Sequence, residues 1–428
     1  MERRKPGSES ALVVGTKKAM RLLIVGLNYA PEPVGIGPYT AGMAETLAAR
    51  GIEVRVVGGK PYYPQWRPYP GYRGLWRRTR ENGVEVVRCA HYVPAQPTGL
   101  RRIVHLASFA LSSLVPALRW TRWRPDVVLC VAPALLSVPT AWLAARAAGA
   151  TLWIHVQDFE VEAAQATGLV GADGLAARLA RRVENALLRS ADRVSTISPQ
   201  MARRLLAKGI APERVIEVRN WANALAPERS EARSYRDEWD LGARHVALYS
   251  GNIANKQGIG IVIEAARLLA ARADIAFVIC GEGPNRARLE ESSRDLRNVQ
   301  FHDLQPAERL SELLALADVH LLPQIAGAAD LVLPSKLTNM LASARPVVAT
   351  AVVGSGLFEE VDGCGVLTPP GDAAAFADAI AGLIDEPARR ASLGAAAKAR
   401  AQERWSQASI IDRLEAELNR LREESKNF

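Results

Sequence analysis

Cysteine is scarce in this chain of 428 residues: Cys89, Cys130, Cys280 and Cys364 are the only four, and no two have the C-x-x-C spacing. Zinc ribbons and thioredoxin-like chemistry therefore have no support. Cys130 and Cys280 stand inside VVLCVA and AFVICG, where a thiol acts as a small buried hydrophobe. Long apolar runs are missing too; none reaches the ~20 residues that cross a bilayer. The first 19 residues are polar and read as a disordered tail, and the RLLIVGL that follows is too short for a secretory leader and reads as a buried strand. A cytoplasmic location is expected. Acid is the other shortage: Asp+Glu number 45 against Lys+Arg 54, a net charge of +9. That balance leaves nucleic acid, an anionic membrane or a phosphorylated ligand as partners. The rest is ordinary, with 49% hydrophobic and 23% charged residues. Disordered, collagenous and disulfide-scaffold chains are excluded, and the length suits two or three domains of ~100–200 residues.

Short apolar runs alternate with amphipathic segments. RLLIVGLN, IEVRVVGG, VEVVRCA, DVVLCVAP, TLWIHVQD and RVSTISP have the near-continuous apolar character of parallel strands covered on both faces. Helices are predicted from Pro38 to Arg50, over SVPTAWLAARAAG and over LAARLARRVENALLRSA. The polar stretch from about Asn220 to Arg244 breaks this rhythm. It then restarts with HVALYSGN, IAFVICGEG, NVQFHDL, DVHLLPQ, RPVVATA and CGVLTPP, separated by helices from Gly258, Pro284, Pro306 and Ser335. The fold class is α/β, with two doubly wound parallel-sheet domains in tandem. The expected boundaries are 1–19 tail, 20–222 first domain, 223–244 linker, 245–406 second domain and 407–428 terminal helix. Ile410, Ile411, Leu414, Leu418 and Leu421 give that last helix one apolar face.

In an open parallel sheet, ligands bind at the carboxyl ends of the strands. Four features fall there in the second half: Gly251, Asn252 and Lys256 in SGNIANKQG; Gly281 and Gly283 in CGEGP; Asp330 opening a loop before a helix that Ser335 can cap; and Gly354 and Gly356. Glycines admit close approach of a ligand, and helix N-termini and a lysine favour phosphate. Together they predict a site for a nucleoside diphosphate. In the first half, Gly35 and Gly37 lie between strand and helix, and His155 and Asp158 end a strand. His155 alternates with apolar residues, so a core position is equally open to it.

The stretches LNYAPEPVGIGPYT, WIHVQDFEVEA, VENALLRSADRVSTISPQM, VIEVRNWAN, YSGNIANKQG, ICGEGP and DLVLPSKLTNMLA resemble the retaining GT-B glycosyltransferases of family 4 (glycosyltransferase group 1). The likeness is to those that build colanic-acid and O-antigen repeat units, fucosyl- and fucosaminyltransferases among them. It implies a GT-B fold, two Rossmann-like domains facing a central cleft, with the terminal helix returning to the first. It also implies a metal-independent, cofactor-free transfer of sugar from a nucleotide sugar, with UDP favoured, to a polyprenyl-diphosphate-linked saccharide. Lys256 would bind the donor diphosphate, helped by Lys336. Asp330 would be the first acid of the family's E-x7-E motif. Thr338 stands where the second acid grips the ribose, followed by Asn339, and Asn252 where an arginine is often found. Gly35 and Gly37 would face the donor phosphates, Asp158 would orient or deprotonate the acceptor hydroxyl, and His155 would contact the donor sugar. Rival readings are an epimerase or hydrolase of the same fold and a non-catalytic relative.

The charge is local. Between Lys60 and Arg124 there are twelve basic residues and two acids, Glu81 and Glu85, more than the whole chain's excess. The segment surrounds RRIVHLASFALSSLVPALRWTRWR, an apolar helix with a narrow polar stripe of His105, Ser108 and Ser112. From Ile103 to Leu118 it would run ~24 Å, short of the ~30 Å hydrocarbon core. Arg119, Trp120, Arg122 and Trp123 at its end suit the headgroup zone. The segment predicts a helix lying in an anionic membrane interface. A nucleic-acid partner is disfavoured, because apolar helix rather than a reading surface interrupts the charge.

Overall fold

Runs rich in valine and isoleucine form two sheets. The computed structural model describes residues 19–33, 35–96, 99–133, 135–159, 174–222, 233–253, 257–325 and 335–424. The first sheet contains β1 (Arg21–Gly26), β2 (Glu53–Gly59), β3 (Trp76–Glu81), β4 (Val84–Cys89), β5 (Val127–Ala132), β6 (Thr151–Val156), β7 (Arg193–Thr196) and β8 (Val215–Glu217). Their order is β3-β4-β2-β1-β5-β6-β7-β8. Pairs β1–β2, β2–β4, β6–β7 and β7–β8 are parallel, while β3 is antiparallel to β4. The helices along this stretch are α1 (Gly37–Ala49), α2 (Gly99–Trp120), α3 (Val138–Ala148), α4 (Leu175–Arg189) and α5 (Pro199–Ala207).

Next comes α6 (Arg233–Glu238), inside the segment expected to be linker. Its Tyr235 is fully buried against the second sheet, with Leu241. Burial of that ring makes this part of the expected linker a domain element. The second sheet is wholly parallel, in the order β11-β10-β9-β12-β13-β14. Its strands are β9 (His245–Ser250), β10 (Ile275–Cys280), β11 (Val299–His302), β12 (Val319–Leu322), β13 (Val347–Thr350) and β14 (Gly365–Thr368). The helices are α7 (Gly260–Leu268), α8 (Arg286–Ser292), α9 (Leu310–Leu316), α10 (Ser335–Ala342), α11 (Gly356–Val361), α12 (Ala373–Asp385), α13 (Pro387–Trp405) and α14 (Gln407–Glu424). The five apolar residues of α14 are all buried, and its Glu417 pairs with Arg193 of β7 at 3.0 Å. The chain thus has the expected class, two parallel-sheet α/β domains.

Helix α2 departs from expectation. It is 22 residues long, or ~33 Å at 1.5 Å per residue. With the turn that follows, it is long and apolar enough to cross a membrane, although 39% of that window is buried in the protein. Its polarity is inside out. His105 and Ser113 are buried with Phe109 and Trp120, while Leu100, Ile103, Val104, Leu111, Val115 and Leu118 are exposed. Two of its polar atoms have backbone partners: His105 Nδ1 meets Tyr92 O at 2.5 Å, and Ser113 Oγ donates to Ala110 O.

Contacts divide the chain into two compact units. One comprises Met1–Cys130, Leu136–Leu152 and Asn419–Phe428, the other Val131–Leu135 and Trp153–Leu418. The expected boundary near residue 222 is therefore not where this division falls. Within the second unit, Glu360 of α11 supplies one reason. Its carboxylate is 2% exposed and accepts from Arg219 Nη1 and Arg404 Nη1, each at 2.7 Å. Arg219 also meets Glu217 and lies over the Trp405 ring, and Ala222 N donates to Trp405 O. The end of β8, α11 and α13 converge on this carboxylate. Removing one member of a buried pair strands the others. Glu360→Gln is expected to cost about 3 kcal/mol, read as a lower urea midpoint; an unchanged midpoint would show that the pair carries no net stability.

Candidate functional site

The carboxyl edge of the second sheet is built by backbone crossing backbone. Gly251 N donates to Cys280 O, Ile253 N to Glu282 O, and Gly281 N to His302 O, so the ladders continue past the strand ends. A Cβ on Gly281 would lie 1.9 Å from Gly251 O, and one on Gly283 2.3 Å from Ile253 O. The amides of Gly251 and Gly281 thus both bond to protein. The residues at 281 and 283 are glycine because the 251–253 loop lies against them. Asn252 belongs to that loop, and its carbonyl accepts from Tyr249 Oη at 2.7 Å.

Beside this crossing starts α10. Ser335 is its first residue, and Thr338, one turn on, is buried. Lys336 reaches back over β9. Its Nζ lies 4.0 Å from the centre of the Tyr249 ring, and its Cδ is 3.5 Å from where a Cβ on Gly251 would sit. The Nζ is buried without a hydrogen-bond partner, and burial pulls its pKa down to about 7. Lys256 and Asp330 lie outside the described residues. Further along, Ser355 Oγ accepts from Phe358 N and caps α11, and Gly356 sits against the Gln200 side chain.

At the carboxyl ends of the first sheet, Gly35 has φ +76° and lies against the Tyr63 ring. Gly37 opens α1 against Glu32, a residue the sequence reading passed over. Glu32 is 2% exposed. Its Oε1 accepts from Tyr62 N at 3.0 Å and Tyr63 N at 3.1 Å, and its Oε2 from Asn28 Nδ2 at 2.8 Å. Burial raises its pKa, and those three donors oppose the rise. An acid between two prolines, just ahead of the glycines, was the available signal. Arg88 was missed as well. It is fully buried, bonded to Glu81 at 2.6 Å and to Ala30 O, and stacked over Tyr29.

His155 is also 2% exposed. Its Nδ1 meets Ser195 Oγ at 2.8 Å, and its Nε2 meets Gln157 Nε2 at 3.0 Å. Gln157 in turn exchanges two bonds with Asn220. The amide of Gln157 donates to Nε2, so the ring carries its proton on Nδ1. Burial lowers its pKa to about 4, which keeps it neutral. With both nitrogens engaged by protein, His155 is a core residue, and its expected contact with the donor sugar is corrected. Asp158, two residues past β6, is partly exposed. The four residues expected at a membrane divide. Arg119 and Arg122 are exposed. Trp120 is 6% exposed under Arg55, and Trp123 stacks on Arg55 at 4.3 Å and donates to Glu53 at 2.9 Å. Trp120 is thus a packing residue.

Residues 34–221 match the family model of a glycosyl transferase 4-like domain, and residues 244–386 that of glycosyl transferases group 1. The chain belongs to the family 4, group 1 glycosyltransferases. WcaI of Escherichia coli K12, a glycosyl transferase assigned to colanic acid biosynthesis, is 45% identical over 341 residues, covering 78% of this chain and 83% of WcaI. Two solved structures share the fold. Sucrose-phosphate synthase from Thermosynechococcus elongatus has a TM-score of 0.67 at 19% identity, covering 94% of this chain and 99% of its own. HepE from Anabaena, solved with UDP, has a TM-score of 0.64 at 16% identity, covering 94% and 100%. This GT-B chain is a glycosyltransferase.

The glycine crossing is open to a direct check. Gly281→Ala forces its Cβ into Gly251 O, so it should lower Tm by several degrees and weaken nucleoside diphosphate binding at least tenfold. Gly382→Ala, inside α12, where a Cβ would have only Glu386 Oε1 near it, at 4.0 Å, should leave Tm and binding unchanged. Equal behaviour of the two variants would refute the packing role.

Proposed function

We propose that this glycosyltransferase moves a sugar from a nucleotide sugar to a saccharide carried on a polyprenyl diphosphate. The uridine donor is favoured, carrying an N-acetylated amino or deoxy sugar, and the anomeric configuration is retained. The observation that carries the reading is the 45% identity to a colanic-acid glycosyl transferase over most of both chains. The relative HepE, solved with UDP-glucose, supports the uridine preference. In this reading the anomeric C–O bond to the diphosphate breaks and a new C–O bond forms to an acceptor hydroxyl. Asp158 orients that hydroxyl or takes its proton. Lys256, Lys336 and the N-terminus of α10 stabilise the departing diphosphate, so the reaction needs no resident cofactor or metal. Asp330 contacts the donor sugar and Thr338 the ribose.

The assay mixes the full chain with UDP- and GDP-sugars and a lipid extract holding polyprenyl-diphosphate saccharides. Sugar should enter the lipid fraction, and Lys256→Ala should slow transfer by about 100-fold. Release of free sugar without transfer would favour hydrolysis and defeat the proposal.

The same reading places the enzyme on the cytoplasmic face of the membrane as a peripheral protein. The outward apolar stripe of α2 supports it, and so does a cleft of about 420 Å³ at the end of that helix, lined among others by Arg55, Trp76, Arg78, Val115, Arg119 and Arg122. Val115 and Trp76 belong to both cleft and exposed surface, so headgroup phosphate and acyl chain would meet adjoining surfaces. The chain should co-sediment with phosphatidylglycerol vesicles at low salt, and Arg119→Glu with Arg122→Glu should halve the bound fraction or more. Full recovery of the unmodified chain in the supernatant would end the membrane reading.

A further inference from the structure

Among the described residues, Lys336 is the one lysine whose amine nitrogen is buried with no hydrogen-bond partner. A protein keeps such a group at a cost, because an unpaired ammonium loses its water and gains nothing. Among the described residues, those around it carry no free counter-charge. From β9 it faces the Tyr249 phenol, whose own ionisation burial pushes upward. From the crossing loop it faces Gly251, with Asn252 and Ile253 following, none of them titratable. The first turn of α10 contains no acid. On β10, the Cys280 thiol is pushed up to about 12, and Glu282 beyond it is paired with Arg286. The Tyr249 ring face, at 4.0 Å, gives a cation modest help through its quadrupole. The amine sits at the start of an eight-residue helix, at the carboxyl edge of a parallel sheet, where an anion is favoured.

We propose that Lys336 anchors the donor diphosphate by a proton-linked step: the amine waits without a counter-ion, and takes one proton from solvent as the diphosphate binds. The inference rests on the donor-site reading above and adds the proton. Burial sets the free amine near pH 7. An adjoining diphosphate raises that value, since opposite charge within ~4–6 Å stabilises the ammonium by 1–3 pH units. Below pH 7 the amine is already charged and binding is independent of pH through this group. Above pH 7 binding draws a proton from solvent, and affinity for the diphosphate falls roughly fivefold between pH 7 and pH 8. The free protein bears the complementary effect. Its folded amine titrates below that of an unfolded lysine, so the destabilisation is full below pH 7 and fades as pH rises toward about 10. Replacing the amine with an apolar chain of similar length therefore stabilises the empty protein while weakening the complex.

The test is titration calorimetry of the full chain with UDP and with GDP at pH 8, in two buffers of different ionisation enthalpy. The nucleotides' phosphates are already ionised at that pH. Uptake close to one proton per nucleotide is expected. Lys336→Met should bind at least tenfold more weakly, take up no proton and melt at a higher temperature without ligand. Binding without proton uptake, or uptake that persists in Lys336→Met, would overturn the inference while the donor site stands. A lower melting temperature in Lys336→Met would also overturn it, because that marks a structural role. If neither nucleotide binds the unmodified chain, the donor-site reading itself fails. Should Lys336→Met not fold, the proton count of the unmodified chain decides alone.

Discussion

One buried carboxylate gathers much of the second unit. Glu360 takes bonds from two arginines that reach it from opposite directions along the sequence, Arg219 just after β8 and Arg404 near the end of α13. Arg219, 8% exposed, gives up hydration that its ion pairs with Glu360 and Glu217 restore, while Arg404 keeps part of its own. The Trp405 ring lies under Arg219, and the amide of Ala222 bonds to the Trp405 carbonyl. The chain's exit from β8 and the end of α13 are therefore fixed by the same few atoms. Apolar packing supplies most of the burial around α13, but it is non-directional. The ion pairs supply direction.

Most of the fold was legible because parallel strands covered on both faces leave a strong mark in sequence. RLLIVG, VVLCVA and IAFVIC are such marks, and each is a fully or almost fully buried strand. Two strands escaped, the three-residue β8 and β3; β3 reads WRRTRE and has no apolar face, because it is an edge strand whose side chains mostly meet solvent. Its signal lay in the turn instead. Asn82 and Gly83 both have positive φ, the requirement of a two-residue hairpin turn. Arginines along such an edge also discourage pairing with another chain. Helix α6 escaped for the opposite reason. RSYRDE is polar throughout, and one aromatic ring, Tyr235, does its packing.

The site was legible in position more than in role. Gly251, Gly281 and Gly283 were found at the strand ends, where glycine usually marks a tight approach. Sequence does not say whether the approaching object is a ligand or protein; at Gly281 and Gly283 it is the 251–253 loop, and at Gly251 the Lys336 side chain. His155 illustrates a related limit. Its partner Ser195 comes from β7, and its neighbour Gln157 is held by the distant Asn220, so their convergence is a property of tertiary structure. For helix α2 a wheel records which residues share a face, not which face meets protein, and it is His105 that turns inward. His105, through Nδ1, and Ser113 find backbone carbonyls on the inner side, and that offsets part of the cost of burying them; Nε2 of His105 is buried without a partner.

Glu32 has a mechanical consequence. Its one carboxylate holds Asn28, in the loop after β1, and two consecutive amides at Tyr62 and Tyr63, in the loop after β2. Separating these segments would break three bonds to an anion and leave it buried. The two loops must therefore travel as a single body, and a ligand that displaces either one displaces both.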